Sequence, residues 1–337
     1  MIVSGSRIVG EGWHRLAGGP HAEMEALKRA GEDARGATLY LTLEPCSHEG
    51  RTGPCAPSLV ASGVARVVVA MEDPNPLVSG SGLKILRDAG VEVQTGLLEQ
   101  ESRRLNAGFI SRMTRGLPRV VAKVAASMDG RTAMASGESR WITGPDARAD
   151  VHRLRASCSA VLTGVGTVLA DDPSLNVRSP DIDTAGRHPL RVIVDSNLRT
   201  PATARLFSLA GETLVACASG ADGSMLQAAG VELLECPGPD GRVDMGGLLR
   251  ALAGRGCNDL LVEAGPTLTG ALVSAGLVDE LVMYLAPHLM GDLSRGMFSL
   301  VGTETLAERV QLQVLDTRQV GEDLRIWARV RNRESND

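Results

Sequence analysis

Residues 17–23 read AGGPHAE, and residues 44–55 read EPCSHEGRTGPC. The two stretches place one histidine, His21, and two cysteines, Cys46 and Cys55, among polar and turn-forming neighbours. Zinc favours imidazole and thiolate ligands, and three protein ligands leave a fourth position open, as in catalytic zinc sites. The pattern therefore predicts a zinc site formed by His21, Cys46 and Cys55.

Glu23 follows His21 by two positions at the predicted start of a helix, so its carboxylate can lie beside the metal without binding it. This arrangement is typical of hydrolytic deamination, in which zinc lowers the pKa of water and a carboxylate passes the proton to the departing amine. The general signature of zinc deaminases has two residues between the cysteines. Here eight residues separate Cys46 from Cys55.

Each part of this pattern also has a simpler interpretation. A single His-x-Glu is commonly a polar helix start, and two cysteines nine positions apart are commonly unconnected. For the whole pattern, the alternative is a structural zinc site, which requires a fourth protein ligand. His14 and His48 are the residues that could supply it.

The chain has 337 residues, of which 43% are hydrophobic and only 2% aromatic. This length allows two domains with aliphatic cores, as α/β layering uses. The formal net charge of -5 leaves no basic surplus, which argues against a nucleic-acid binder and favours a small-molecule partner. No apolar run approaches the roughly 20 residues of a membrane span, and the six cysteines are too scattered for a disulfide scaffold. We therefore expect a cytoplasmic protein with no membrane partner.

The first 115 residues alternate short apolar runs with helical stretches, which indicates a mainly parallel sheet. The pattern predicts strands over 37–43, 66–71 and 91–95, and helices over 22–30, 54–62 and 81–89. The basic stretch 112–118 contains Gly116 and Pro118 and predicts a domain boundary. We therefore expect one domain over 1–115 and another over 116–337.

The second block repeats the alternation. It predicts strands near 159–163, 190–195, 212–217, 231–235, 258–263 and 278–286, helices near 145–156, 222–229, 245–253 and 266–275, and a hairpin of 309–319 with 323–331. The first strand is not followed by Gly-x-Gly-x-x-Gly, the standard dinucleotide-binding fingerprint. Residues 261–268, LVEAGPTL, join the end of an apolar strand to a helix start at Pro266. Free N–H groups at a helix start favour phosphate, although a plain strand-to-helix turn has the same pattern.

The long spacing between the cysteines, together with AGGPHAE and with EDPNP at 72–76, resembles the deaminase half of the bifunctional deaminase/reductase family of riboflavin biosynthesis. Residues 123–133 (KVAASMDGRTA), 137–143 (GESRWIT), 167–173 (TVLADDP) and 262–268 are similar to the reductase half. The resemblance implies an α/β chain of two three-layer domains, cytidine-deaminase-like followed by dihydrofolate-reductase-like. It also implies zinc (Zn2+) and NADPH as cofactors. The implied substrate is a diaminopyrimidine carrying a ribosylamino 5′-phosphate, which is deaminated before its ribosyl group is reduced to ribityl.

The resemblance also implies roles for individual residues. The expected substrate contacts of the deaminase are His48, Arg51 and Asn75. Those of the reductase are Ser139, Leu175, Arg178 and Glu263. The expected NADPH contacts are Ala125, Trp141, Thr167 and Asp171, with the turn formed by Gly265, Pro266, Thr267, Leu268, Thr269, Gly270 and Ala271. The candidate proton donors for the reduction are Glu263 and Lys123.

One feature departs from the family, which opens with a helix and a Pro-Asn-Pro loop. This sequence starts at Met1-Ile2-Val3, inside the family's first strand, and we expect a turn at 4–6 and a first strand too short to pair normally. The alternative to a bifunctional enzyme is then a reductase whose first domain is a structural zinc-binding or oligomerisation module. A homo-oligomer is compatible with both.

Overall fold

The computed structural model describes residues 1–16, 18–49, 53–76, 78–218, 220 and 222–331. The chain folds as two compact units, Met1–Arg115 and Gly116–Asp337. None of the described helices combines the length and the apolar character that crossing a bilayer requires.

The first unit is a five-stranded sheet with helices between its strands. The strands are β1 (Ile2–Ser4), β2 (Arg7–Gly10), β3 (Thr38–Leu41), β4 (Arg66–Val69) and β5 (Glu92–Thr95). The helices are α1 (Ala22–Ala30), α2 (Cys55–Ser62), α3 (Ser81–Asp88), α4 (Glu99–Leu105) and α5 (Ala107–Arg115). The sheet order is β2-β1-β3-β4-β5, in which β3, β4 and β5 run parallel. The carboxyl ends of these three strands therefore lie at one edge of the sheet.

Two glycines allow α1 to lie directly over the first hairpin. A Cβ atom at Gly10 would be 2.3 Å from the carbonyl oxygen of Ala26, and one at Gly12 would be 2.1 Å from that of Ala22. Any larger residue would therefore push α1 away. This close approach positions the start of α1, which is preceded by His21.

One expectation for this unit is wrong. The three residues of β1 do pair, with β2 on one side and β3 on the other, because a central position gives a short strand two partners. The first four residues of the stretch 112–118, where we expected a domain boundary, complete α5, and the chain divides into its two units directly after them. Helices α4 and α5 were absent from the prediction.

The second unit is built on a nine-stranded sheet. The strands of this sheet are β6 (Arg119–Ser127), β8 (Ala160–Gly164), β9 (Leu190–Val194), β10 (Thr213–Cys217), β11 (Glu232–Glu235), β12 (Asp259–Val262), β13 (Glu280–Ala286), β15 (Gln311–Val320) and β16 (Asp323–Arg331). A small two-stranded sheet is formed by β7 (Arg131–Ala133) and β14 (Arg295–Gly296). The helices are α6 (Pro145–Ser157), α7 (Val165–Asp171), α8 (Ser224–Ala228), α9 (Met245–Gly254) and α10 (Pro266–Ser274).

The large sheet has the order β11-β10-β9-β8-β12-β6-β13-β16-β15. The seven strands from β11 to β13 run parallel, and β16 and β15 complete the sheet as an antiparallel hairpin. Side chains alternate between the two faces, so Val120 and Ala122 pack with α9 and α10, whereas Val121 packs with α6. Helices on both faces make three layers.

Strands β13 and β16 also hold α6, the helix that carries Arg155. The hydroxyl of the fully buried Tyr284 donates to Asp150 Oδ2 at 2.7 Å, and Arg325 Nη1 donates to the same oxygen at 2.8 Å. Both partners lie on neighbouring strands, β13 and β16. Asp150 therefore fixes α6 against the sheet.

Candidate active sites

The three predicted metal ligands meet at the carboxyl edge of the first sheet. His21 occupies the position before α1, Cys46 follows β3, and Cys55 is the first residue of α2. His21 Nδ1 lies 3.5 Å from Cys46 Sγ and 3.2 Å from Cys55 Sγ. The potential ligand atoms of the three residues all lie within 4.8 Å of one another.

This spacing fits a zinc ion. Tetrahedral zinc with ordinary Zn–N and Zn–S bonds separates a nitrogen ligand from a sulfur ligand by about 3.6 Å. The two N–S separations of 3.5 and 3.2 Å are close to that value. One imidazole and two thiolates form a donor set that zinc prefers, so the residues present suit the metal.

The surroundings of Cys46 favour its thiolate. A hydrogen bond from the Cys55 thiol, opposed by burial and aided by the Cys55 backbone N–H and by His21, lowers the pKa of Cys46 to about 5. The Cys55 N–H donates to Cys46 Sγ at 3.3 Å. Because the thiolate is the form that binds metal, the chain prepares this ligand before any ion arrives.

Glu23 lies in the first turn of α1 with only 8% of its surface exposed. Its carboxylate is close enough to Cys55 to contribute to the raised pKa of that thiol, whose largest cause is the hydrogen bond to Cys46. Among the described residues, the cluster of potential ligands contains His21, Cys46 and Cys55 and does not include Glu23. Glu23 is therefore beside the ligand cluster, where a group that moves protons is needed.

Neither residue considered as a fourth ligand joins the cluster within the described part of the chain. His14 turns its Nδ1 to the carbonyl oxygen of Pro20, 3.0 Å away, and its ring meets the His21 ring edge-on at 5.3 Å. His48 is exposed. Among the described residues, the structural-zinc alternative thus has no fourth protein ligand.

The expected substrate contacts of this unit lie on two loops. His48 follows Cys46, and Asn75 follows β4 in a segment where its N–H donates to Asp73 Oδ1 at 2.8 Å. His48 contributes to the electrostatic surroundings of Asp73, so the two loops are neighbours. Arg51 lies outside the described residues.

Glu263 forms a charged cluster at the carboxyl edge of the second sheet, directly after β12. Arg155 from α6 binds it through two hydrogen bonds, Nε to Oε1 at 2.5 Å and Nη2 to Oε2 at 2.9 Å. Lys123 Nζ from the neighbouring strand β6 lies 3.8 Å from Oε2. Arg155 Nη1 also donates to the carbonyl oxygen of Asn176 at 3.0 Å.

These contacts assign opposite protonation behaviour to the two candidate proton donors. Burial opposes ionisation of Glu263, but the charge and hydrogen bonds of Arg155 and the charge of Lys123 outweigh it and hold the pKa of Glu263 at about 2. Burial lowers the pKa of Lys123, an effect that Glu263 opposes only in part. Glu263 therefore stays ionised near neutral pH, whereas the pKa of Lys123 lies below its ordinary value.

Arg155 was missed by the sequence analysis. It lies four residues after the buried Val151 and so shares the inward face of α6, which was a detectable signal for a buried cation.

Nearby, burial together with the charges of Arg155 and Arg178 lowers the pKa of His152 to about 4. The His152 imidazole is therefore neutral near neutral pH and adds no cation to the cluster.

The other expected substrate contacts of the reductase differ in what they can offer. Arg178 is exposed, with Nη1 at 3.2 Å from Asn176 Oδ1, and Ser139 is half-buried. Leu175 packs its side chain into the core beside α6, with a backbone φ of 48°. The backbone of Leu175, and not its side chain, is therefore the part that a ligand could contact.

The expected cofactor contacts also lie at or near this edge. Ala125 is two residues after Lys123 on β6, so both side chains point to the same face of the sheet. Thr167 and Asp171 belong to α7, which follows β8. The ring of Trp141 is 67% exposed, with the Arg148 guanidinium 4.6 Å from its centre.

The predicted turn begins α10 with Gly265 before the helix and Pro266 in its first turn. A Cβ atom at Gly265 would meet no other atom within 4 Å, so a ligand can approach the backbone there. Thr269 is buried, and a Cβ atom at Gly270 would lie 2.2 Å from the carbonyl oxygen of Ser299. Thr269 and Gly270 therefore face the protein interior, and the beginning of the turn, at Gly265, is open to a ligand.

A further cavity of about 390 Å³ lies beyond the carboxyl ends of β9, β10 and β11. It is lined by Ser196, Asn197, Ala218, Gly220, Asp222, Pro237, Gly238 and Gly241. Asp195 beside it is fully buried; its Oδ2 accepts from Thr200, and its Oδ1, without a hydrogen bond among the described residues, is 3.9 Å from Arg199 Nε. No single motif predicted this cavity, because three separate loops form it.

Two family models match the chain. Residues 1–71 match the cytidine and deoxycytidylate deaminase zinc-binding region, and residues 118–326 match the RibD C-terminal domain. Together they confirm the predicted fold class, a deaminase-like α/β domain followed by a reductase-like α/β domain.

Whole-chain comparisons agree with the family models. The riboflavin biosynthesis protein RibD of Escherichia coli is 48% identical over 333 residues, which are 96% of this chain and 90% of the relative. The solved structure of Acinetobacter baumannii RibD matches with a TM-score of 0.90 at 45% identity, and the match covers 98% of this chain and 91% of the Acinetobacter chain. A diaminohydroxyphosphoribosylaminopyrimidine deaminase/5-amino-6-(5-phosphoribosylamino)uracil reductase of Thermotoga maritima has a TM-score of 0.86 at 33% identity, with coverage of 98% and 90%. The chain therefore belongs to the RibD family, the bifunctional deaminase/reductases of riboflavin biosynthesis.

Proposed function

We propose that the chain deaminates 2,5-diamino-6-ribosylamino-4(3H)-pyrimidinone 5′-phosphate in its first unit and reduces the product with NADPH in its second. The observation that carries the proposal is the presence of two separate sets of reactive groups. His21, Cys46 and Cys55 with Glu23 suit hydrolysis, and Lys123, Arg155 and Glu263 suit a reduction that needs a proton. No observation favours the reductase-only alternative.

In the first unit, zinc held by His21, Cys46 and Cys55 would supply a Lewis acid that promotes attack by water. Glu23 accepts a proton from the attacking water and gives it to the amine. The water oxygen forms a bond to the ring carbon, the carbon–nitrogen bond breaks, and ammonia leaves. His48 and Asn75 hold the pyrimidine in this proposal, and Arg51 binds the 5′-phosphate, for which a guanidinium is suited.

In the second unit, NADPH would supply the hydride that C1′ of the ribosyl group accepts. The bond from C1′ to the ring oxygen breaks, and the oxygen takes up a proton. We assign that proton to Lys123, because Glu263 stays ionised and its charge holds Lys123 and Arg155 in place. Arg178 binds the 5′-phosphate, for which a guanidinium is well suited. Ser139 and the backbone of Leu175 complete the substrate site.

The cofactor contacts follow the carboxyl edge of the sheet. Ala125, Trp141, Thr167, Asp171 and the start of α10 would hold NADPH. The cavity beyond β9, β10 and β11 would receive its distal part, since ligands of open α/β sheets bind beyond the carboxyl ends of the strands. The cytoplasmic location and the homo-oligomer expected from the sequence stay predictions.

We expect purified protein to contain about one zinc ion per chain, as one three-ligand site implies. Cys46→Ser should lose most of this metal, because a hydroxyl is a poor zinc ligand. Cys257→Ser is the control, since that buried cysteine lies in the second unit and should leave the zinc content unchanged. Metal analysis that finds full zinc in Cys46→Ser would contradict the site.

Glu23→Gln should reduce ammonia release from the diaminopyrimidine about 10²- to 10⁴-fold, because the amide cannot carry the proton. The zinc content and the NADPH oxidation with deaminated substrate should not change. Glu25→Gln, on the same helix, is the matched control. Full ammonia release by Glu23→Gln would remove Glu23 from the mechanism.

Lys123→Met should reduce the kcat for NADPH oxidation about 10²- to 10⁴-fold, as expected for a lost proton donor. In the wild type, kcat should fall as the pH rises through the pKa of Lys123, which burial places below the ordinary value of about 10.4. Glu263, with its pKa of about 2, should add no acidic limb near neutral pH.

Lys123→Arg separates proton transfer from simple charge. Arginine keeps the positive charge beside Glu263 but does not release a proton at accessible pH, so this variant should remain slow and lose the alkaline limb. Recovery of the wild-type kcat and pH profile by arginine would show that Lys123 acts through its charge alone.

A further inference from the structure

Glu44 is a buried carboxylate to which the mechanism gives no role. It is 3% exposed and accepts four backbone hydrogen bonds. Oε2 accepts from the N–H groups of Asp73 at 3.1 Å and Gly80 at 2.9 Å. Oε1 accepts from those of Gly82 at 2.9 Å and Leu83 at 3.3 Å. One side chain on the metal-ligand loop therefore binds both ends of the segment between β4 and α3.

A second contact at the same place is made by backbone alone. A Cβ atom at Gly82 would lie 2.0 Å from the carbonyl oxygen of Pro45, so the first turn of α3 rests directly on the residue before Cys46. Only glycine allows this approach. The contact and the Glu44 hydrogen bonds together join residues 44–46 to residues 73–83.

The network continues from Glu44 to Asn75. Asp73, whose N–H donates to Glu44, accepts the N–H of Asn75 on its Oδ1 at 2.8 Å. The carbonyl oxygen of Asn75 in turn accepts from the N–H groups of Val78 at 2.9 Å and Ser79 at 3.0 Å. The backbone of Asn75 is thus held on both sides, within two hydrogen bonds of Glu44.

We propose that Glu44 is a positioning residue of the deaminase, which fixes the segment that carries Asn75 against the segment that carries the metal ligand Cys46. Its role in catalysis rests on the proposed deamination, whereas its role in the loop rests on the four hydrogen bonds alone. A carboxylate suits this position because both of its oxygens accept and its charge strengthens each bond. A glutamine of the same shape keeps one accepting oxygen and turns an amino group towards two N–H donors.

The direct test is backbone hydrogen exchange in Glu44→Gln. The amides of Asp73, Gly80, Gly82 and Leu83 should exchange at least about tenfold faster than in the wild type, because bonds to a charged acceptor are lost. Glu32→Gln removes an exposed carboxylate of the same unit and should leave these four rates unchanged.

Kinetics then distinguish positioning from general damage. Glu44→Gln should keep its zinc and its NADPH oxidation, and should raise the KM for the diaminopyrimidine at least about tenfold with a smaller change in kcat, as a loosened substrate contact requires. A loss of correctly folded protein would instead lower zinc content and kcat together at constant KM.

Gly80→Ala is a milder second variant. Gly80 has a φ of 83° with free space around a Cβ atom, so alanine strains the N–H donor to Glu44 without a collision and should raise the same KM and exchange rates to a smaller extent. Unchanged amide exchange in both variants would overturn the proposal. A wild-type chain that releases no ammonia would contradict the proposed deamination, while the exchange rates would still decide the role of Glu44 in the loop.

Discussion

Both active sites depend on one constraint, that neighbouring parallel strands end at the same edge of a sheet. In the first unit this edge brings the loop after β3, with Cys46, next to the loop after β4, with Asn75. In the second unit it brings the loops after β8, β9 and β12 together, including Glu263 and the start of α10. Residues distant in sequence become neighbours because the register of the strands leaves their ends side by side.

Burial and charge then set the chemistry of the residues at each edge. At Glu263 the hydrogen bonds and charge of Arg155 overcome burial, so the carboxylate stays ionised. At Lys123 burial outweighs the attraction of that same carboxylate, and the pKa falls. The cluster therefore pairs a carboxylate that stays ionised near neutral pH with an ammonium group whose pKa is lowered. At Cys46, a neighbouring thiol and an imidazole favour the thiolate in a similar way.

The sequence predicted well those features that short-range patterns encode. The rhythm of strands and helices and the start of α10 at Pro266 follow from local periodicity and turn residues. The candidate metal ligands were recognisable because each lies at the end of a strand or the start of a helix, and their types suit one ion. The pairing of β1 with β3 and the helical character of 112–115 were missed, because both depend on packing that no local pattern shows.

Long-range contacts account for what the sequence did not show at the sites. Arg155 reaches Glu263 across more than one hundred positions, and Glu44 binds N–H groups from residue 73 onward. Family resemblance suggested ligand contacts at Leu175, Thr269 and Gly270. It could not reveal that the side chains of Leu175 and Thr269 are buried, or that the α-carbon of Gly270 packs against the backbone of Ser299. A resemblance assigns residues to a ligand, whereas packing decides which atoms of each residue are available.

The most direct test of two working sites in one chain is mass analysis of the product formed from the diaminopyrimidine substrate and NADPH by the purified protein alone. We predict a product in which one amino group has been replaced by oxygen and two hydrogen atoms have been added. A product that has gained the hydrogens and kept the amino group, or an unchanged substrate, would contradict the account.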